Sequence, residues 1–269
     1  MEKDFENLRK ALDRLASLLH KDEMQAFDEF LEYGIAQHSH TIHKDLTNAS
    51  KELKGAYFDA YSEWIKLQYR KIHTEHKDWF DAFGMYFEIH SSRWRRQKKG
   101  QFFTPEPICE FMARCNITEN MERQRVNDPA CGSGRFLLAS HACNPRNFHY
   151  GQDIDRTCCL MSALNMMIHG IQGEVVHGDS LNADSYFSGW AINPSIKQLQ
   201  GIPHIENLVK ENSFIFHVAQ SHKKDRLAEM ERNQQEEAER LKNANFLEVE
   251  ESEKLNFDNS KDGTSFEFF

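Results

Sequence analysis

The chain has 269 residues, with 33 Lys and Arg against 42 Asp and Glu, a net charge of −9 and 39% hydrophobic residues. That length buries a real core in one large domain or two modest ones, and the acidic balance argues against a free-standing, high-affinity nucleic-acid binder, because phosphate attraction supplies most of such affinity. No apolar run approaches the ~20 residues that cross a bilayer, Met1-Glu2-Lys3-Asp4 opens no signal peptide, and the six cysteines form no C-x-x-C pair, so a soluble cytoplasmic protein without membrane association is expected.

Residues 1 to about 92 lack proline and read as helix. Phe5, Leu8, Leu12, Leu15 and Leu19 recur at three- and four-residue steps; so do Met24, Phe27, Leu31 and Ile35, then Leu53, Tyr57, Tyr61, Trp64 and Gln68, then Trp79, Phe83 and Phe87. That is the period of amphipathic helices, and the spacing predicts a helical bundle over 1–98 whose aromatics pack a core. His38, His40 and His43, and again His73 and His76, share helical stretches. No cysteine or carboxylate completes a ligand set beside them, so they read as surface histidines and no metal is expected.

Over 99–220 the texture changes. Short β-prone runs at 125–127, 147–150, 174–177 and 190–192 alternate with helical stretches at 105–115, 135–142 and 156–169. This alternation predicts an α/β domain with a parallel sheet and right-handed crossovers. Ser213 to Val218 offers one further strand. From 221 onward the chain is charged: 222–242 reads as a solvated helix, and 246–269 as a flexible acidic tail.

The most informative stretch is Val126-Asn127-Asp128-Pro129-Ala130-Cys131-Gly132-Ser133-Gly134-Arg135-Phe136. A strand ends, a turn of small residues follows and a helix begins, so the backbone can approach a ligand closely. Roughly 20 residues beyond Gly134 stands Asp153, in Gly151-Gln152-Asp153-Ile154-Asp155, where an acid can accept bonds from a ribose diol. Gly178-Asp179-Ser180-Leu181 places a second acid at the same sheet edge. Leu137 occupies the position where a dinucleotide fingerprint wants a small residue, which disfavours that class. The bland alternative is a tight turn with solvated acids.

Asp128-Pro129-Ala130-Cys131-Gly132-Ser133-Gly134 resembles the first motif of N6-adenine DNA methyltransferases, in the form found in modification subunits of type I restriction systems. Gly100-Gln101-Phe102-Phe103-Thr104-Pro105 resembles the motif that precedes it there, and the segments at Asp153 and Asp179 match the second and third motifs. The likeness covers about residues 99–194. It implies a Rossmann-like methyltransferase sheet, incomplete here, after a helical region, with S-adenosylmethionine as cofactor. Thr104 and the turn of Ala130, Cys131, Gly132 and Gly134 would hold the methionine part, Asp153 the ribose, Ile154 the adenine face and Asp179 its amino group, with Asp128 also at the cofactor.

The resemblance also implies an acceptor motif after the fourth strand, which reads Asn193-Pro194-Ser195-Ile196 here. Asn193 and the Pro194 carbonyl would orient the adenine amine, and the strand order 3-2-1-4 would bring them to the glycine turn. The stacking aromatic is replaced by Ile196, which costs base capture roughly 1–3 kcal/mol; Phe187, Trp190 or an aromatic of a partner would have to compensate. Arg93, Arg95, Arg96, Lys98 and Lys99 form a basic run beside the cleft, read either as DNA phosphate contacts or as a solvated linker. The leading expectation is an adenine-N6 DNA methyltransferase of a restriction-modification, phage or mobile-element system, acting on double-stranded DNA with a separate specificity protein. The alternatives are a cofactor-binding regulatory module without transfer, and methylation of protein or RNA.

Overall fold

The computed structural model describes residues 2–39, 46–90, 103–117 and 123–261, with side chains described between 3 and 241. Four helices come first: α1 (Glu6–Leu19), α2 (Glu23–His38), α3 (Lys51–Tyr69, extended by a π-turn over Arg70–Thr74) and α4 (Ala82–His90). Local chemistry sets their starts. Asp22 and Gln25 form a reciprocal capping box at α2, and the Ser50 hydroxyl accepts the Leu53 N–H at α3, which satisfies donors left free at a helix N-terminus.

The aromatic stripes are core. Tyr57, Trp64 and Phe83 are fully buried, and Trp64 packs on Phe83 at 4.8 Å between ring centroids. The histidine reading needs one correction. His38 is half-buried: Nε2 lies 2.6 Å from the Tyr61 hydroxyl and Nδ1 lies 3.4 Å from the Pro203 carbonyl. His73 and His76 are exposed, whereas His40 and His43 lie outside the described residues.

The α/β part carries α5 (Glu106–Asn116), β1 (Arg125–Asp128), α6 (Arg135–Cys143), β2 (Phe148–Asp153), α7 (Arg156–Ile168), β3 (Gly173–His177), β4 (Ser188–Ile192) and β5 (Ile205–Asn207). Helix α7 is buried from Cys158 through Met167. An apolar surface all round a helix means cover on both sides, and α7 lies between the sheet and the helical layer, touching α2 as well as β2 and β3. Leu12, Phe27 and Trp64 therefore belong to the same hydrophobic cluster as Leu164, Val175 and Ile192.

The sheet order is β1-β2-β3-β4-β5. β1, β2 and β3 run parallel, but β4 pairs antiparallel with β3, Ile192 lying opposite Gly173, and β5 pairs antiparallel with β4. This corrects the expected 3-2-1-4 order. A crossover to a parallel strand takes about a dozen or more residues and usually a helix. Residues 178–187 contain no helix; Asp179, Asn182 and Ser185 knit them into tight turns, and the Phe187 N–H closes onto the His177 carbonyl at 2.9 Å. The chain turns straight back, and among the described residues β1 is left as an edge strand.

A second correction concerns Ser213 to Val218, which begins a helix rather than a strand. The Ser213 hydroxyl accepts the Phe216 N–H, and the Glu174 carboxylate accepts from the N–H groups of Phe214 and Ile215, an acid at a helix N-terminus. Helix α8 (Phe214–Lys261) then runs 48 residues, so the expected flexible tail is helical as far as Lys261. The structure divides into two compact units, Met1–His217 and Val218–Phe269. In the second, Leu227, Met230 and Leu241 are exposed. Among the described residues no helix is long and apolar enough to cross a membrane.

Candidate functional site

Asp128 ends β1 and folds its carboxylate onto the Ala130 N–H at 3.1 Å, an Asx turn that swings the chain away from the sheet. The Cys131 N–H bonds the Gln152 carbonyl on β2 at 2.9 Å, and the Gly134 N–H bonds the Cys131 carbonyl at 2.8 Å. Gly132 and Gly134 have φ of +53° and +88°, a region where a Cβ is strained. At Gly134 a Cβ would also stand 2.8 Å from the Ser162 hydroxyl. Helix α6 begins at the next residue, so its free N–H groups face the turn.

The turn and the end of β2 are joined directly. Asp153 Oδ2 accepts the Gly132 N–H and Oδ1 accepts the Asp155 N–H, each at 2.9 Å. An ionised carboxylate offers about four lone-pair sites, so both oxygens keep accepting capacity. Ile154, 67% exposed, is an apolar platform beside it. Asp155 turns back to cap α7 through the Thr157 and Cys158 N–H groups.

These elements enclose a cavity of about 460 Å³ lined by Thr104, Asp128, Ala130, Cys131, Gly132, Asp153 and Ile154 among others, within the ~300–1,000 Å³ of ligand pockets. Gly134 lies behind it and shapes the turn. Asp179 shares the edge, since the Gly178 N–H bonds the Asp153 carbonyl, but it is not part of the lining; its Oδ1 accepts the Leu181 N–H at 2.9 Å. Burial pushes the Asp128 carboxyl above the usual range, and the nearby Asp153 charge acts in the same direction. Burial likewise drives the Cys131 thiol well up, leaving a space-filling sulfur rather than a nucleophile.

Asn193 and Pro194 are not at this cavity. β4 runs antiparallel to β3, so Asn193 emerges beyond the amino end of β3, at the opposite edge of the sheet from Asp153. The Asn193 side chain is fully buried. Its amide donates to the carbonyls of Met167 and Ile171 at 3.1 and 2.9 Å, and its oxygen accepts the His204 N–H at 2.9 Å. Pro194 is exposed. Of the two aromatics expected to stand in for the ring missing at Ile196, Trp190 is buried, whereas Phe187 is 64% exposed at the carboxyl edge, packed on His177. Arg93, Arg95, Arg96, Lys98 and Lys99, with Gly100 to Phe102, lie outside the described residues.

Sequence reasoning missed Asp81, Ser133, Arg135 and Asn165, a buried polar cluster behind the turn. The available signal was Asp81 itself, the lone charge in Trp79-Phe80-Asp81-Ala82-Phe83-Gly84-Met85-Tyr86-Phe87. Among the described residues no group of three or more His, Cys, Asp or Glu side chains is placed to hold a metal.

A family model described as N-6 DNA Methylase matches residues 79–193. Over this segment the chain is similar to that family. The matched segment begins just before Asp81 and ends at Asn193, and it takes in every residue lining the cavity. Similar curated proteins include the type I restriction enzyme MpnII methylase subunit of Mycoplasma pneumoniae, 30% identical over 151 residues, which cover 51% of this chain and 27% of that one. The HindI methylase subunit of Haemophilus influenzae is 31% identical over 139 residues, 47% of this chain and 30% of its own length. The MjaVII methylase subunit of Methanocaldococcus jannaschii is 28% identical over 146 residues, 49% and 25%. The chain thus spans between a quarter and a third of the length of these relatives.

Proposed function

We propose that this chain binds S-adenosylmethionine at the carboxyl edge of β1–β3 and is a DNA methyltransferase directed at adenine N6, serving a restriction-modification or mobile-element system together with a specificity protein. The observation that carries the reading is the Gly132 N–H donated to Asp153, which fixes a glycine turn and a ribose-type acid around one cavity. The chemistry of the lining supports a cationic donor. A bare helix N-terminus favours anions, but Asp128, Asp153 and Asp155 face this space, while Arg135 is committed to Asp81 and Glu88. An acidic cavity suits a sulfonium with an ammonium group better than a phosphate. Thr104 and the turn would hold the methionine part, Asp153 the ribose hydroxyls and Ile154 the adenine face, with Asp179 at the far side; bound there, the cofactor supplies the methyl group. Phe187 is the exposed ring at this edge for an acceptor base to stack on. In the arrangement described, Asn193 serves the fold, so gripping the amine through Asn193 and Pro194 requires this segment to move.

Titration calorimetry with S-adenosylmethionine, paired with labelled methyl transfer to duplex DNA, tests the reading. Asp153→Ala is expected to weaken cofactor binding by roughly 1–3 kcal/mol, through the lost acceptor, and to reduce transfer accordingly. Equal affinity for wild type and variant would remove the cofactor assignment. Binding without transfer to any DNA, with the specificity partner present, would leave a cofactor-binding module.

A further inference from the structure

Asp81 is fully buried, at the start of α4 in the helical layer, yet its carboxylate reaches the cofactor turn. Oδ2 accepts the Ser133 hydroxyl and the Arg135 Nε–H, both at 2.6 Å. Oδ1 accepts the Gly84 N–H at 2.8 Å and the Asn165 amide at 2.7 Å. The other Asn165 amide bond goes to the Ser133 carbonyl at 2.9 Å, so Ser133 is held at its side chain and at its backbone. A Cβ on Gly84 would lie 2.1 Å from Asp81 Oδ2 and 2.4 Å from the Ser133 hydroxyl; only glycine lets α4 come this close.

A buried carboxylate is a poor source of net stability, because desolvation offsets most of the attraction and an apolar cluster of equal volume does as well. What such a group adds is direction. The turn from Pro129 to Gly134 is made of small residues with two positive-φ positions, and side-chain packing alone gives it little to hold on to. Arg135 stands at the first position of α6, where the helix dipole opposes a cation. Asp81 and Glu88 neutralise it, with Nη2 2.7 Å from Glu88, and its guanidinium also donates to the Thr104 carbonyl at 3.4 Å and lies over the Phe103 ring. Through Ser133 and Arg135 the one carboxylate reaches two walls of the cavity.

We propose that Asp81 is a positioning residue for the cofactor site: from the helical layer it sets the Gly132–Arg135 turn, and through Arg135 the Thr104 wall, in the geometry that receives the donor. The inference rests on the proposed cofactor reading. Its test is calorimetric titration of S-adenosylmethionine into the full chain and into Asp81→Asn, Ser133→Ala, Arg135→Gln and the Asp81→Asn/Arg135→Gln double variant, with unfolding midpoints measured without ligand. Asp81→Asn is expected to weaken binding at least tenfold, Ser133→Ala a few-fold, and the double variant less than the product of its singles, as for residues in one network. A purely structural role would lower the midpoint and the bound stoichiometry, since stoichiometry counts folded molecules, but would leave the dissociation constant of that folded fraction unchanged. Constants within twofold of wild type for both Asp81→Asn and Ser133→Ala would overturn the inference while the cofactor reading stood. Ser133→Ala keeps the carboxylate and its other three donors, so it decides the matter even where Asp81→Asn does not fold. Wild-type protein that takes up no donor would overturn both together.

Discussion

The two edges of the sheet carry side chains of similar polarity and opposite fate. At the carboxyl edge Asp153 spends two acceptor sites on backbone N–H groups and keeps the rest, facing a cavity. At the amino edge Asn193 spends both amide protons and its oxygen on Met167, Ile171 and His204, fully buried. Unspent hydrogen-bonding capacity beside open space marks a binding group; a saturated one marks a fastening. By that measure the carboxyl edge is equipped to bind a ligand, and Asn193 is engaged in holding α7, β4 and the segment before β5 together.

The sharpest way to break this contrast is Asn193→Ala. It strands the Ile171 carbonyl and the His204 N–H, each worth about 1–3 kcal/mol, and takes one of two donors from the Met167 carbonyl, so stability by denaturant unfolding should fall by on the order of 4 kcal/mol while cofactor affinity in the folded fraction stays put. A stable variant that binds donor but transfers no methyl would return Asn193 to catalysis.

Acid should act on the same amino half. His149, near the start of β2, is fully buried and its pKa is pushed down to about 3, by burial first and by the His141 charge second; burial lowers His141 to about 4. The unfolded chain titrates near 6.5, so below that pH it takes up protons that the folded chain refuses. Stability is therefore full above about pH 6.5 and declines as pH falls toward these values. Between pH 7 and 5 each of the two should cost about 2 kcal/mol, about 4 together, and His149→Phe should remove about half of the decline; an unchanged slope would show that other groups carry the acid response.

A smaller effect is expected from Gly134→Ala at the carboxyl edge. The positive φ and the Ser162 contact should cost about 2 kcal/mol, read as a lower melting temperature together with weaker donor binding. Loss of stability with binding untouched would separate the turn from the site.

Much of the carboxyl edge was legible because its determinants are local. The turn of small residues with its glycines and the acid closing β2 are set within a few residues, and the aromatic stripes before residue 90 announced a helical core by period alone. The region around Ser213 was misread as a strand: its run of Phe, Ile and Val is β-prone, but the N-cap serine was the available signal, and the Glu174 carboxylate that completes the cap is distant in sequence. Asp81 was visible as a misfit charge, yet nothing near it names Ser133 or Arg135 as partners.

Sequence by itself determined the early helices and the first four strands, where the backbone must turn through glycine, and which acids end the first three strands, because hydrophobic period and φ preference act over a few residues. Tertiary structure decided what those segments face. The antiparallel return of β4 followed from a connection too short to hold a crossover helix, and it carried Asn193 to the far edge of the sheet. The hold of the helical layer on the glycine turn likewise depends on packing between residues far apart in the chain, which no local pattern encodes.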